Sequence, residues 1–235
     1  MEEVSGLKHV VRWIDDLIDG IIGLFLVLLL LLGTYFVYDT LWVYYNASSD
    51  RVSAYKPGSE GELLPLSEDC VAWLTIDDTN IDHPIMQGET NGKYLNTDPY
   101  GEYSLSGSIF LDSRNAGDFS DSYSLVYGHH MADGMMFGAL DAFFDEPYFD
   151  AHRTGTLTVG ETVYSIDIFA ALRTDAGEDA IFTPDGSETV LALAEEHAAI
   201  YRTPANDHVV ALSTCQDAGS TSRTVVLLTL TETNE

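Results

Sequence analysis

The pattern of apolar and polar positions divides the chain into an N-terminal run with no alternation and a long region of short, interrupted apolar segments. From Gly20 to Tyr38 there is no charged residue, and the stretch IIGLFLVLLLLLGTYFV is nearly all apolar. At about 1.5 Å per residue, these 19 residues make a helix of about 28 Å, close to the ~30 Å hydrocarbon core of a bilayer. Tyr35, Tyr38, Trp42, Tyr44 and Tyr45 crowd its far end, where aromatic rings favour a lipid–water boundary. The competing reading is a cleaved signal peptide. The run is longer than a signal core, and no small-x-small cleavage site follows it. The expectation is a retained single-pass anchor over 20–38, preceded by a segment 1–19. Lys8 and Arg12 on one flank balance Arg51 and Lys56 on the other, so positive charge does not choose an orientation.

Residues 39–66 read as a polar linker, opening as a helix through Tyr55 and then broken by Pro57, Gly58 and Pro65. From Ser67 to the C-terminus at 235 the pattern is β-rich. Candidate strands are VAWLTI (71–76), GSIFL (107–111), SLVYG (124–128), GTLTV (155–159), VYSIDIFAAL (163–172), HVVALST (208–214) and RTVVLLTL (223–230). Two stretches change to helical spacing. Over Gly134–Phe144, Met136, Leu140 and Phe143 or Phe144 recur on one side. Over Ser187–Tyr201, Ser187 is the candidate N-cap, and Val190, Leu193, Ala194, His197 and Ile200 share a side. Many strands without βαβ alternation predict a mainly antiparallel barrel or sandwich with helical insertions.

Charge narrows the function. There are 38 acidic and 10 basic residues, a formal net charge of −28. Five acids and two bases precede Asp39, so the remaining 33 acids and 8 bases leave the rest of the chain at −25. Such a surface repels phosphate backbones and argues against nucleic-acid binding. The acids are dispersed among apolar residues, as on a solvated folded surface; a cationic, amine-bearing partner is the weaker functional reading.

The chemistry gathers around one cysteine. Cys215 closes the candidate strand HVVALSTC, and after seven intervening residues Arg223 opens the next. If the two strands pair as an antiparallel hairpin, thiol and guanidinium meet at one sheet edge. A nearby cation favours thiolate and stabilises an oxyanion forming on a bound carbonyl. The bland reading is a small buried Cys215 with a surface Arg223. Cys70 and Cys215 are too few for a disulfide framework, although a single bridge is an option in an exported domain. A cysteine nucleophile needs a proton handler, and histidine is the usual one. Of seven histidines, His152 and His197 read as surface residues, whereas His129 and His130 follow the strand SLVYG where the chain opens into a loop. A metal centre joining them to His83, Asp133 or Asp112 is the lesser reading, because no HExxH or regular ligand spacing supports it. No GxSxG elbow is present for serine hydrolysis.

The run SLVYGHHMADGMMFGAL (124–140) resembles the histidine motif of class B sortases, and ALSTC (211–215) resembles their signature ending in the nucleophile. Arg223 falls where their arginine does. GKYLNTD (92–98) and SGSIFLDSRN (106–115) resemble the stretches before the histidine in that class, and the helix at 187–201 sits where its members insert one. The resemblance covers residues 67–231, with the three motifs in the expected order.

It implies a closed β-barrel of about eight strands behind one transmembrane helix, N-terminus in the cytoplasm and catalytic domain outside. By resemblance Cys215 is the nucleophile, His129 the general acid or base, and Arg223 the residue that holds substrate and stabilises the oxyanion; His130 is the next candidate for the histidine. Ser213 and Gln216, flanking the nucleophile, are expected to touch the sorting peptide. The implied reaction cleaves an LPxTG- or NPxTN-type sorting motif of a surface protein or pilin and passes the acyl group to an amine of a peptidoglycan precursor or pilin lysine. No metal and no cofactor are expected. Cys70 matches no catalytic motif and is expected to be unpaired and buried. Two other readings use the same chain: a membrane-anchored cysteine hydrolase, and a catalytically silent surface-binding domain.

Overall fold

A computed structural model describes residues 2–57, 66–215 and 221–233. The chain divides into two compact units, Met1–Tyr44 and Tyr45–Glu235. The first is formed by helix α1 (Glu2–Ala47), whose stretch Val11–Ala47 is long and apolar enough to cross a membrane. None of its most apolar window is buried, so this is not the core helix of a soluble domain; it fits a membrane span or a signal segment.

In the second unit, eight strands close on themselves. They are β1 (Cys70–Ile76), β2 (Asp82–Met86), β3 (Ile109–Leu111), β4 (Tyr123–His129), β5 (Thr154–Val159), β6 (Thr162–Asp175), β8 (Val209–Cys215) and β9 (Ser222–Glu232). A ninth, β7 (Ile200–Tyr201), pairs with the far half of β6. Around the barrel the order is β1-β2-β3-β4-β8-β9-β6-β5, and β5 returns to β1. The pairings β2–β3 and β4–β8 are parallel and the others antiparallel, so the barrel is mixed. Closure removes the exposed edges that an open sheet of this size would present.

Alternate residues of β4, β8 and β9 serve two separate cores. Val126, Leu212 and Val226 point into the barrel, where Phe137, Leu140 and Phe143 of the 3-10 helix Phe137–Phe144 also pack. Leu125, Ala211 and Leu227 point outward. They lie under Ile181 of α3 (Asp179–Phe182) and Val190 and Ala194 of α4 (Ser187–His197); α2 (Glu146–Ala151) precedes β5. Burial on both faces is why HVVALST and RTVVLLTL read as nearly continuous apolar runs.

The structure corrects several expectations. β2, Asp82–Met86, was not among the candidate strands, and it carries Pro84, a residue that central strands seldom hold. Its parallel partner β3 meets it only from Ile85 onward, so at Pro84 the ladder is needed on one side alone. The helix expected over 187–201 ends at His197, because Ile200 and Tyr201 pair with Ala171 and Ala170. Its N-cap is Gly186, at φ 103°, and Ser187 is buried inside the first turn. The stretch expected to be helical over 134–144 is 3-10 from Phe137 onward. Cys70 is the first residue of β1 and half-buried. Within 39–57, α1 continues to Ala47, and two 3-10 turns, Ser49–Arg51 and Ser53–Tyr55, follow it. These turns lie against the barrel through Arg51–Asp98 (2.8 Å) and Lys56–Asp82 (3.0 Å) ion pairs.

Candidate active site

His129, Cys215 and Arg223 occupy one rung of the barrel. The parallel β4–β8 ladder pairs His129 with Cys215, and the antiparallel β8–β9 ladder pairs Cys215 with Arg223. His129 and Cys215 are the last residues of their strands, and Arg223 is the second of its own. Cross-strand partners stand about 5 Å apart at Cα, so three chemically distinct residues from distant parts of the sequence meet at the barrel rim. The segment 216–220 joining Cys215 to β9, and with it Gln216, lies outside the described residues.

The half-exposed His129 ring is fixed by one bond. Its Nε2 lies 2.7 Å from the Leu95 carbonyl oxygen, which only accepts, so Nε2 carries the proton and donates. Gly128, just before it, allows the 3-10 helix to close in: a Cβ there would sit 2.7 Å from the Phe137 ring. The chain then turns tightly through Asp133 (φ 58°), Gly134 (φ 67°) and Met136 (φ 51°), and His130 forms a bridge with Met136. Positive φ at two non-glycine residues is a strained backbone, held here by the packing of buried Met136 and Phe137. His130 does not join the rung's side chains. Its Nε2 pairs at 2.8 Å with Asp141, whose other oxygen accepts from Thr224 Oγ1 at 2.9 Å.

Arg223 donates from Nη1 to the Ser222 carbonyl at 3.0 Å and pairs in register with Thr174 of β6. The next residue, Asp175, has its carboxyl held below the usual range, first by the Thr221 hydroxyl, then by the Gly177 N–H and, last, by the charge of Arg223. Ser213 lies two rungs inside the site, paired with Tyr127 and Val225. It is 1 % exposed, and its Oγ has no hydrogen-bond partner among the described residues.

Beside His129 opens a cavity of about 280 Å³, lined by Asn91, Gly92, Leu95, Phe110, Tyr127 and Gly128. Its polar wall is organised by Asp112, which is fully buried. This carboxylate accepts from Arg114 Nε and Nη2 at 2.8 Å each, from Arg114 N at 3.0 Å, from Asn91 Nδ2 at 2.9 Å and from the Tyr127 hydroxyl at 3.0 Å. Burial alone would raise its pKa; the Arg114 bonds, helped by Asn91, bring it down to about 2. The same burial and the Asp112 charge push the Tyr127 hydroxyl far up, so it stays a donor.

Sequence reasoning named the three rung residues and Ser213 but assigned no role to Leu95, Asn91 or Tyr127, and weighed Asp112 only as a metal partner. The signal was present: GKYLNTD carries Leu95 and SGSIFLDSRN carries Asp112. Among the described residues there is no group of three or more His, Cys, Asp or Glu side chains arranged to hold a metal ion. Cys70 is a free thiol whose pKa is raised by burial, away from the reactive range.

A closed mixed barrel with a cysteine, a histidine and an arginine on one rim rung defines a class of thiol acyl-transfer protein, and comparison with known proteins agrees. The Sortase domain family profile matches residues 74–231. Sortase B of Listeria monocytogenes is 39 % identical over 55 % of this chain, but the match spans only 52 % of that protein's length. Sortase B of Staphylococcus aureus is 29 % identical over 70 % of this chain and 71 % of its own. Among solved structures, a Streptococcus pyogenes class B sortase involved in pilus biogenesis superposes with a TM-score of 0.64 at 39 % identity, over 71 % of this chain and 94 % of that one. A Staphylococcus aureus sortase B–substrate complex gives 0.65 at 28 % identity, over 72 % and 82 %. The chain belongs to the sortase family, whose members are cysteine transpeptidases.

Proposed function

We propose that this protein is a membrane-anchored class B sortase that exchanges a peptide bond of a sorting motif for one to a cell-surface amine. The Cys215 thiolate attacks the backbone carbonyl carbon after the threonine of an LPxTG- or NPxTN-type motif. Arg223 holds the peptide and stabilises the tetrahedral oxyanion. His129 protonates the leaving amine; the Leu95 carbonyl occupies one ring nitrogen and leaves the other for that transfer. The resulting thioacyl enzyme is resolved by an amine of a peptidoglycan precursor or a pilin lysine, which gives its proton back to His129. The apolar cavity beside His129 supports a subsite for motif side chains, and Gln216 is assigned to peptide contact; Ser213, expected to share that role, is 1 % exposed and supports the wall beneath the site instead. With α1 in the membrane, the N-terminus is cytoplasmic and the barrel faces outward, where wall amines are.

The observation that carries this reading is the shared rung of His129, Cys215 and Arg223 in a chain of the sortase family. The test incubates the full-length protein in detergent with sorting-motif peptides and an amine acceptor, and follows products by mass spectrometry. Amine-linked product that disappears in Cys215→Ala and Arg223→Ala is expected, and the peptide that reacts names the motif. Cleavage with no amine capture would replace transpeptidase by hydrolase. Absence of any reaction, with Cys215 also resisting alkylation, would reject both.

A further inference from the structure

The rung lies at the rim of the barrel: His129 is the last residue of β4, and Cys215 is the last of β8 among the described residues. β4 and β9 are not neighbours; β8 runs between them, which puts them about 10 Å apart. One carboxylate nevertheless joins them. Asp141 bonds His130 at 2.8 Å and Thr224 at 2.9 Å, and these are the residues immediately after His129 and Arg223. Successive strand residues face opposite ways, so Thr224 is reached from the side of the wall opposite Arg223. Thr224 is fully buried, and Asp141 sits on the 3-10 helix whose Phe137, Leu140 and Phe143 are sunk in the barrel core. The carboxylate is therefore mounted on a rigid element, and it reaches both outer strands of the rung without touching its functional face.

We infer that Asp141 is a positioning residue: bonded to His130 and Thr224, it sets the separation of His129 and Arg223 on either side of Cys215. The inference rests on the transpeptidase reading for the roles of those three residues. Misplacement of reacting groups by about 1 Å costs on the order of 100-fold in rate, whereas peptide contacts made elsewhere in the groove are untouched.

The test measures kcat and KM of the full-length enzyme for Asp141→Ala, Thr224→Val, His130→Gln and the His130→Gln/Thr224→Val pair, with thermal unfolding of each. Thr154→Val is the control; it deletes a 2.7 Å hydroxyl–carboxylate bond to Asp77, outside the site. The expected result is a kcat lowered roughly 10- to 100-fold in Asp141→Ala with KM within about twofold. His130 and Thr224 are joined through Asp141, so their losses should fail to multiply in the paired variant. Multiplying losses, an unchanged kcat in Asp141→Ala, or an equal kcat loss in Thr154→Val would overturn the proposal. The pH profile of Cys215 alkylation, located by mass spectrometry, needs no peptide. It should move upward in Asp141→Ala and stay in place in Thr154→Val; no movement in either rejects the positioning role. A wild type that alkylates at Cys215 but turns over no peptide would reject the transpeptidase reading while leaving this comparison able to decide.

Discussion

Two carboxylates grip β4 on either side of His129, and they are built differently. Asp112 is wholly buried and accepts five hydrogen bonds, one of them from Tyr127, two residues before His129. Asp141, whose side chain is 38 % exposed, binds His130, the residue after it, and Thr224. A buried charge is tolerable only when it is matched, and Arg114 matches Asp112 in the bidentate geometry that best offsets lost hydration. Asp141 keeps contact with water, so losing a partner leaves nothing stranded. The first device holds the pocket wall as part of the fold; the second adjusts position at little cost in stability.

Removing the sealed carboxylate is the harshest way to break that contrast. Asp112→Ala leaves the buried Tyr127 hydroxyl and Asn91 amide without their acceptor and is expected to destabilise the protein by about 3 kcal/mol, read by urea unfolding. A loss under about 1 kcal/mol would make the two carboxylates equivalent. Acid titration sharpens the contrast next. Asp112 has a depressed folded pKa, so its contribution is complete above about pH 4 and is lost only as pH falls through about 2. His83 behaves oppositely. Burial, partly opposed by the Asp82 charge and an Asn80 backbone contact, lowers its pKa to about 4, and the unfolded chain takes up its proton first. Stability should therefore fall between about pH 6.5 and 4, by up to about 3 kcal/mol, and the slope should disappear in His83→Leu. Persistence of the full slope in that variant would move the acid sensitivity to the carboxylate networks.

Smaller effects separate the bonds within each network. Tyr127→Phe deletes one of five donors to Asp112 and keeps the ring against Phe110, so a loss of about 1 kcal/mol is expected in thermal unfolding. Thr224→Val, at the open network, should cost less than about 1 kcal/mol of stability, because Asp141 can turn to solvent. A larger loss there than in Tyr127→Phe would reverse the assignment of the two devices.

Much of this molecule was legible before folding, and the gaps have identifiable causes. Strands β1, β3, β4, β5, β6, β8 and β9 announced themselves by dense apolar runs, most plainly where both faces are buried. β2 was hidden by Pro84, whose missing N–H is harmless only because β3 begins alongside it at Ile85. β7 has two residues, too few to carry a period, and helical spacing ran past His197 because Ile200 is buried for another reason. Cys215, His129 and Arg223 stood out by residue type and by their places at strand ends. The hairpin of β8 and β9 predicted that Cys215 and Arg223 would be neighbours, since a short loop constrains its ends.

Nothing local predicted that β4 would lie parallel to β8. Parallel neighbours are joined by long excursions, here through β5, β6, β7 and the helices, and the choice of partner depends on closing the whole barrel. The same holds for Asp112 and Asp141, which are ordinary acids in the sequence and acquire meaning from Asn91, Arg114 and Tyr127, or from His130 and Thr224. The amino-acid sequence by itself determined the apolar helix, the strand-rich domain, the acidic surface and the kinds of chemistry on offer, because those depend on composition and short-range period. Which residues face one another across the rim was decided only by the closed barrel, because register between distant strands is a property of the complete hydrogen-bonded ring and of the two cores packed on its faces.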